Sequence, residues 1–182
     1  MRGTRVPFAV VCVAGMACTV LVVCPRRTPP NPHAAVDHLD ADPVVRHRLV
    51  RAAARDVVAR ELIAGRMTLP DAAARFGWLN ALPPTTQTRP PEVLAALAGL
   101  PAGEKYGEGE ALALQVVAWL GRPTLSDDPA RAQDAALRQF RQSRAEGRLT
   151  LLPEVGEDEG SRLLAEADVV VTRHQSLLGS ER

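Results

Sequence analysis

Capping residues, prolines and glycines recur after residue 42 in the order in which helices use them. Asp42 and Pro43 open one apolar segment of helical periodicity, since aspartate suits the N-cap and proline suits the first helical position. Gly65 closes that segment, because glycine readily takes the left-handed backbone that ends a helix. Strand patterns are scarce over the same part of the chain. The sequence therefore predicts a mainly α fold, a small domain of about five helices.

Caps, apolar periodicity and terminators place the individual helices. Thr68 and Asp71 have capping-box spacing, and the double proline at 83–84 ends the helix that they open. Residues 157–167 fit a further helix, and residues 169–171 fit either a short strand or its continuation. The five clearer helices are predicted over residues 43–64, about 68–82, about 90–98, about 110–120 and about 128–146.

The first 24 residues differ in composition from the rest of the chain. Arg2 and Arg5 precede a run of apolar or small residues over 6–23, in which Thr19 is the one exception. The run approaches the length of about 17–25 residues that spans a bilayer, and it exceeds the usual signal-peptide core of about 7–15 residues. Residues 1–24 are therefore predicted to be a transmembrane anchor or a signal peptide, with cleavage after Ala17 as the signal-peptide alternative.

The prolines of residues 25–41 predict an extended linker, followed by an α-helical domain over residues 42–182. All the cysteines lie in the leader, at Cys12, Cys18 and Cys24, which excludes a disulfide-stapled domain and a cysteine-ligated zinc site in the remainder. Cys18 and Cys24 each match half of a lipoprotein signal. Since the free amino terminus favours a cytoplasmic start, we expect a membrane-anchored or exported protein with most of the chain outside the cytoplasm.

Composition and motifs limit the functions that the chain can have. The net charge of +1 supplies no field that attracts nucleic acid, and 3% aromatic residues argue against a deep aromatic-lined pocket. The glycine-rich segment 103–109 lacks the Gly-Lys-Ser/Thr ending of a phosphate-binding loop, and no Gly-x-Ser-x-Gly elbow occurs. We therefore expect no enzyme: no catalytic residue, no cofactor, no metal ligand and no small-molecule substrate. The His and Asp residues of 33–42 fit either a solvated linker or a metal-binding tail.

An arginine stripe on the first predicted helix is the candidate contact surface. Arg48, Arg51 and Arg55 fall on the side opposite its apolar face. Such a stripe is either a solvated face or a surface that contacts phosphate groups, lipid headgroups or a protein partner. The first hypothesis for function is a membrane-anchored or exported helical interaction or structural protein. Its partner is an unidentified protein or a membrane surface, and this stripe is the contact.

Residues 67–78, MTLPDAAARFGW, resemble the first helix and turn of a bacterial helix-turn-helix. A recognition helix should follow the turn, but residues 78–84 are apolar, short and broken by the double proline. This departure argues against DNA binding. The alternative function is a cytoplasmic-facing regulator whose degenerate helix-turn-helix contacts DNA or a transcription component.

A longer resemblance covers about a third of the chain. Residues 51–84, RAAARDVVARELIAGRMTLPDAAARFGWLNALPP, and residues 114–119, LQVVAW, resemble short uncharacterised helical proteins of GC-rich planctomycete bacteria. Many of those proteins carry Cys-Arg before the glutamine, where this chain has Ala113 and Leu114. The resemblance implies a helical fold and supplies neither a function nor catalytic residues.

Overall fold

The computed structural model describes residues 42–83, 89–101 and 103–179, with side chains as far as Leu177. Helices and their connections make up these ranges, and no strand occurs within them, which confirms the mainly α prediction. The leader, its cysteines and the linker lie outside the described residues. The helices are α1 (Pro43–Ile63), α2 (Leu69–Ala81), α3 (Pro91–Leu97), α4 (Glu108–Leu120), α5 (Pro129–Ala145) and α6 (Glu157–Gly179).

The structure confirms the helix ends that capping residues and Gly65 predict. The Asp42 carboxylate accepts a hydrogen bond from the Val44 amide at 2.8 Å and caps α1. Thr68 and Asp71 form the predicted capping box at the start of α2. Gly65 takes a φ of +72° directly after α1, a backbone region that L side chains rarely adopt. These contacts satisfy backbone groups that a helix end otherwise leaves without partners.

The last helix extends beyond residues 157–167, the range over which the sequence predicts it. α6 runs on without interruption through residues 169–171, so the helical continuation is confirmed and the strand alternative is wrong. α6 lies antiparallel to α1. Arg46 near the start of α1 pairs with Asp168 at 3.0 Å, and Glu61 near its end shares a cleft with Glu159 at the start of α6.

α2 forms the centre of the fold. Seven of its 13 residues are buried, among them Ala72, Ala73 and Phe76, which are fully enclosed. The Phe76 ring meets Trp119 of α4 edge-on, with 6.1 Å between the ring centroids. Small residues let neighbouring helices approach closely, so α1, α4, α5 and α6 all contact α2.

None of the helices in the described ranges is long and apolar enough to cross a membrane. The predicted anchor, residues 1–24, lies outside those ranges.

The contact between α2 and α6 yields a stability prediction. A Cβ atom at Gly160 would overlap the Trp78 ring, whereas a Cβ at Gly156 meets nothing within 4 Å. We expect Gly160→Ala to lower the free energy of unfolding by about 1–3 kcal/mol, since overpacking outweighs the gain in helix propensity. Gly156→Ala should lower the free energy of unfolding by about 1 kcal/mol or less, because the added methyl group meets no neighbouring atom. Urea denaturation measures both, and equal stability of the two variants would contradict the packing.

Candidate functional site

The three arginines of the predicted stripe lie in three different environments. Arg48 is exposed and Arg55 is partly buried, but only 3% of Arg51 is exposed. The prediction of one exposed stripe is therefore wrong for Arg51. The spacing does place all three on one side of α1, but the C-terminal end of α2 covers that side from Arg51 onward.

Arg51 and Arg55 both reach the C-terminal end of α2. The Nη1 atom of Arg51 donates to the backbone carbonyl of Leu82 at 3.1 Å. The Nη2 atom of Arg55 donates to Oδ1 of Asn80 at 2.6 Å. The last carbonyls of a helix lack partners within the helix and carry a partial negative charge, so this end of α2 favours cations.

Two aromatic rings flank Arg55. Its guanidinium carbon lies 5.8 Å from the ring centroid of Phe76 and 5.3 Å from that of Trp119. These distances fall within the range of cation–π attraction. The indole nitrogen of Trp119 donates to Oδ1 of Asp56 at 2.9 Å, and Arg122 donates to the same oxygen at 3.1 Å. The Asp56 carboxylate is thereby directed to Trp119 and Arg122.

No carboxylate among the described residues forms an ion pair with Arg51 or Arg55. Within the same part of the chain, Nη2 of Arg51 and Nε of Arg55 are buried without a hydrogen-bond partner. Burial lowers the pKa of the Arg55 guanidinium, and the positive charge of Arg51 lowers this pKa further. The two residues, which we call the buried arginine pair, therefore combine two cations with amides, a carbonyl and aromatic rings.

Hydrogen bonds connect Arg55 to a surface cavity by way of Asn80. The Nδ2 atom of Asn80 donates to Oε1 of Gln115 on α4 at 2.9 Å. Both amide side chains line a cavity of about 410 Å³, which also has Arg89 and Glu108 in its wall. Sequence analysis missed Asn80 and Gln115, because each lies 25 or more residues along the chain from its hydrogen-bond partner.

A larger groove lies between the C-terminal end of α1 and the N-terminal half of α5. Its volume is about 500 Å³, and its floor includes the buried side chains of Leu62, Leu120 and Ala136. Ile63, also in its wall, is 40% exposed. Its polar wall residues include Asp127, Asp128 and Arg131. We call this feature the α1–α5 groove.

The cleft between α1, α2 and α6 has a volume of about 350 Å³ and charged walls. Much of this charge is neutralised by ion pairs within the protein. Arg75 pairs with Glu159, and two nitrogens of Arg66 donate to the two carboxylate oxygens of Glu61 at 2.7 Å. These pairs hold the elements around the cleft together.

The glycine-rich segment 103–109 is held by contacts with α5. Arg144 pairs with Glu104 and donates through Nε to Glu110 at 2.8 Å. Its guanidinium carbon lies 5.2 Å from the centroid of the Tyr106 ring. The segment is therefore held by Arg144, which lies 34 positions from Glu110 and 40 from Glu104, a separation at which no local pattern gives a signal.

The segment that resembles a helix-turn-helix lies within the protein core. α2 is buried along most of its length, and the next described helix is α3, which has seven residues. Among the described residues, no three His, Cys, Asp or Glu side chains are arranged to hold a metal ion. Comparison with protein-family models, curated proteins and solved structures finds no match for this chain.

The Tyr106 environment yields a pH prediction. Burial raises the pKa of this phenol, and the negative charge of Glu104 raises it further. The folded state thus favours the neutral phenol. Its contribution to stability is present below the ordinary pKa of about 10 and is lost as pH rises through the folded pKa. Tyr106 is the only tyrosine, so absorbance at alkaline pH should show one transition, above the ordinary value in the folded chain.

Unfolding in urea should return the Tyr106 transition to its ordinary pH range. Tyr106→Phe should abolish the transition and leave stability nearly unchanged, because the buried hydroxyl has no hydrogen-bond partner among the described residues. A folded-state transition at the ordinary pH would contradict the burial of the phenol.

Proposed function

We propose that this protein is a helical interaction domain, held at or exported across a membrane by its N-terminal segment. The observation that carries this proposal is the α1–α5 groove. A volume of about 500 Å³ with an apolar floor and a polar wall fits side chains of a partner segment. Burial of apolar side chains in such a groove supplies affinity, and the polar wall supplies specificity.

The charge of the groove favours a basic partner. Asp127 and Asp128 carry two negative charges, whereas Arg131 carries one positive charge. The Asp128 carboxylate caps α5 by accepting from the Arg131 amide at 3.0 Å, and Asp127 has no such bond among the described contacts. We therefore propose a protein partner that inserts an apolar side chain and places a lysine or arginine near Asp127.

The position of the groove suits an anchored protein. The linker enters α1 at its first turn, whereas Leu62 and Ile63 lie at its last turn. A helix of 21 residues separates these ends by about 30 Å, at 1.5 Å per residue. Along the chain, the groove therefore lies at the end of α1 that is farther from the predicted anchor.

The proposal moves the contact from the predicted arginine stripe to the other end of α1. Arg51 is buried, Arg55 is partly buried, and only Arg48 of the three arginines is exposed. Contact of a partner or a membrane with Arg48 stays a prediction. The DNA-contacting regulator also stays a prediction, and the burial of α2 does not favour it.

Substitution at the groove tests the contact. Ile63→Asp places a charge in the groove at an exposed position, so the fold should persist while partner binding falls at least about tenfold. Val93→Asp on α3 is the matched control, because Val93 is 45% exposed and lies outside the groove. The measurement is quantitative affinity purification of the tagged full chain from cells, with circular dichroism of each variant as a check of folding.

A protein that wild type and Val93→Asp retain equally, and that Ile63→Asp loses, supports the groove as the contact. The charge-reversal Asp127→Lys should lower recovery of the same protein if its anchoring group is basic. Identical recovery with wild type and Ile63→Asp would overturn the proposed contact.

Fractionation of cells that express a C-terminally tagged chain tests the membrane part of the proposal. A full-length species in the membrane fraction supports retention of residues 6–23 as an anchor. A shortened species in the exported fraction, identified by intact mass, supports a cleaved signal peptide. A full-length species confined to the soluble cytoplasmic fraction would overturn both.

A further inference from the structure

We propose that the buried arginine pair, Arg51 and Arg55, binds the carboxylate or phosphate group of a small anionic ligand. The ligand enters by the cavity that Asn80 and Gln115 line. This site lies apart from the α1–α5 groove and shares no wall residue with it. It gives the protein a ligand-binding role beyond the proposed protein contact.

The absence of a carboxylate at these two residues contrasts with the other partly buried arginines. Arg75 is paired with Glu159, and Arg144 is paired with two glutamates. Arg51 is more buried than either and has no described carboxylate within ion-pair distance. Removal of a charge from water is costly unless an opposite charge or sufficient hydrogen bonds replace the water. A bound anion supplies the missing charge.

The unpartnered donors suit an oxyanion. Among the described residues, Nη2 of Arg51 and Nε of Arg55 are buried donors without partners, on side chains one turn apart on α1. Guanidinium groups match the geometry of carboxylate and phosphate oxygens, often with two parallel hydrogen bonds. An oxyanion beside Asn80 can take the place of Oδ1 as the acceptor for Nη2 of Arg55.

The cavity gives such a ligand a route to the arginines only past the Asn80 side chain, because neither arginine lies in the cavity wall. Its volume of about 410 Å³ lies within the range of small-molecule sites. Arg89 in the cavity wall adds a positive charge, and Glu108 in the same wall adds a negative one. The wall is thus close to neutral, and selectivity for an anion comes from the buried arginine pair behind Asn80.

The test is thermal unfolding of the full chain in Tris chloride at fixed ionic strength. Sodium phosphate or sodium succinate replaces part of the sodium chloride, so that only the anion changes. A ligand that binds the folded state alone raises Tm with concentration, by about 5–10 °C at a hundred times its Kd. A shift with phosphate only identifies a phosphate site, and a shift with succinate only identifies a carboxylate site.

Variants of the arginines locate the effect. Arg55→Gln should abolish the Tm shift, and Arg55→Lys should weaken binding about tenfold, because lysine keeps the charge and loses the planar donors. Arg48→Gln is the matched control on the same helix, and it should keep the full shift, because Arg48 is exposed. Arg51 is not substituted, because a change at this buried position would also change the core. The Arg55 variants and the wild-type chain therefore decide the test.

Two results would overturn the proposal. The first is no Tm shift of the wild-type chain with either anion, in which case α2, the amides and the aromatic rings alone hold the two cations. The second is the same shift in wild type and Arg55→Gln, which would place any anion binding elsewhere. Neither result depends on Ile63 or on recovery of a protein partner, so this site and the groove are tested separately.

Discussion

The enclosure of α2 is the constraint on which the rest of the structure depends. Its small residues Ala72 and Ala73 are fully buried, so neighbouring helices approach its backbone closely. On the α6 side, Gly160 leaves the space that Trp78 fills. Close packing of this kind tolerates little change in volume, and it fixes the positions of α1, α4 and α6 around one helix.

The C-terminal end of α2 also determines a polar arrangement. Its last carbonyl groups lack partners within the helix, although this end is not enclosed, since Ala81 is exposed and Leu82 is partly exposed. Arg51 supplies one donor to Leu82, and Arg55 holds the side chain of Asn80. The same arrangement buries Arg51 and partly buries Arg55. Packing of α1 against this end of α2 therefore generates the electrostatic imbalance of the site.

Local signals predict much of the helical structure, because caps and terminators act over a few residues. Thr68 with Asp71, and Gly65 after α1, illustrate this, since every contact involved lies within one turn. The site could not be predicted in the same way. Periodicity places Arg51 on the polar side of α1, but its burial depends on α2, and its partner Leu82 lies 31 residues away. Periodicity describes one helix, whereas burial depends on what packs against it.

Arginine makes the electrostatic imbalance at α2 persistent. A buried lysine or histidine can release its proton and become neutral, whereas a guanidinium stays charged at any pH that the folded protein meets. Burial and the charge of Arg51 lower the pKa of Arg55, which reflects the cost of holding its charge there, but the guanidinium stays charged. Dipoles, aromatic rings or an anion must offset this cost. Dipoles and aromatic rings are already in place around Arg55. Among the described residues, one donor of each arginine still lacks a hydrogen-bond partner, so each guanidinium group can make a further hydrogen bond.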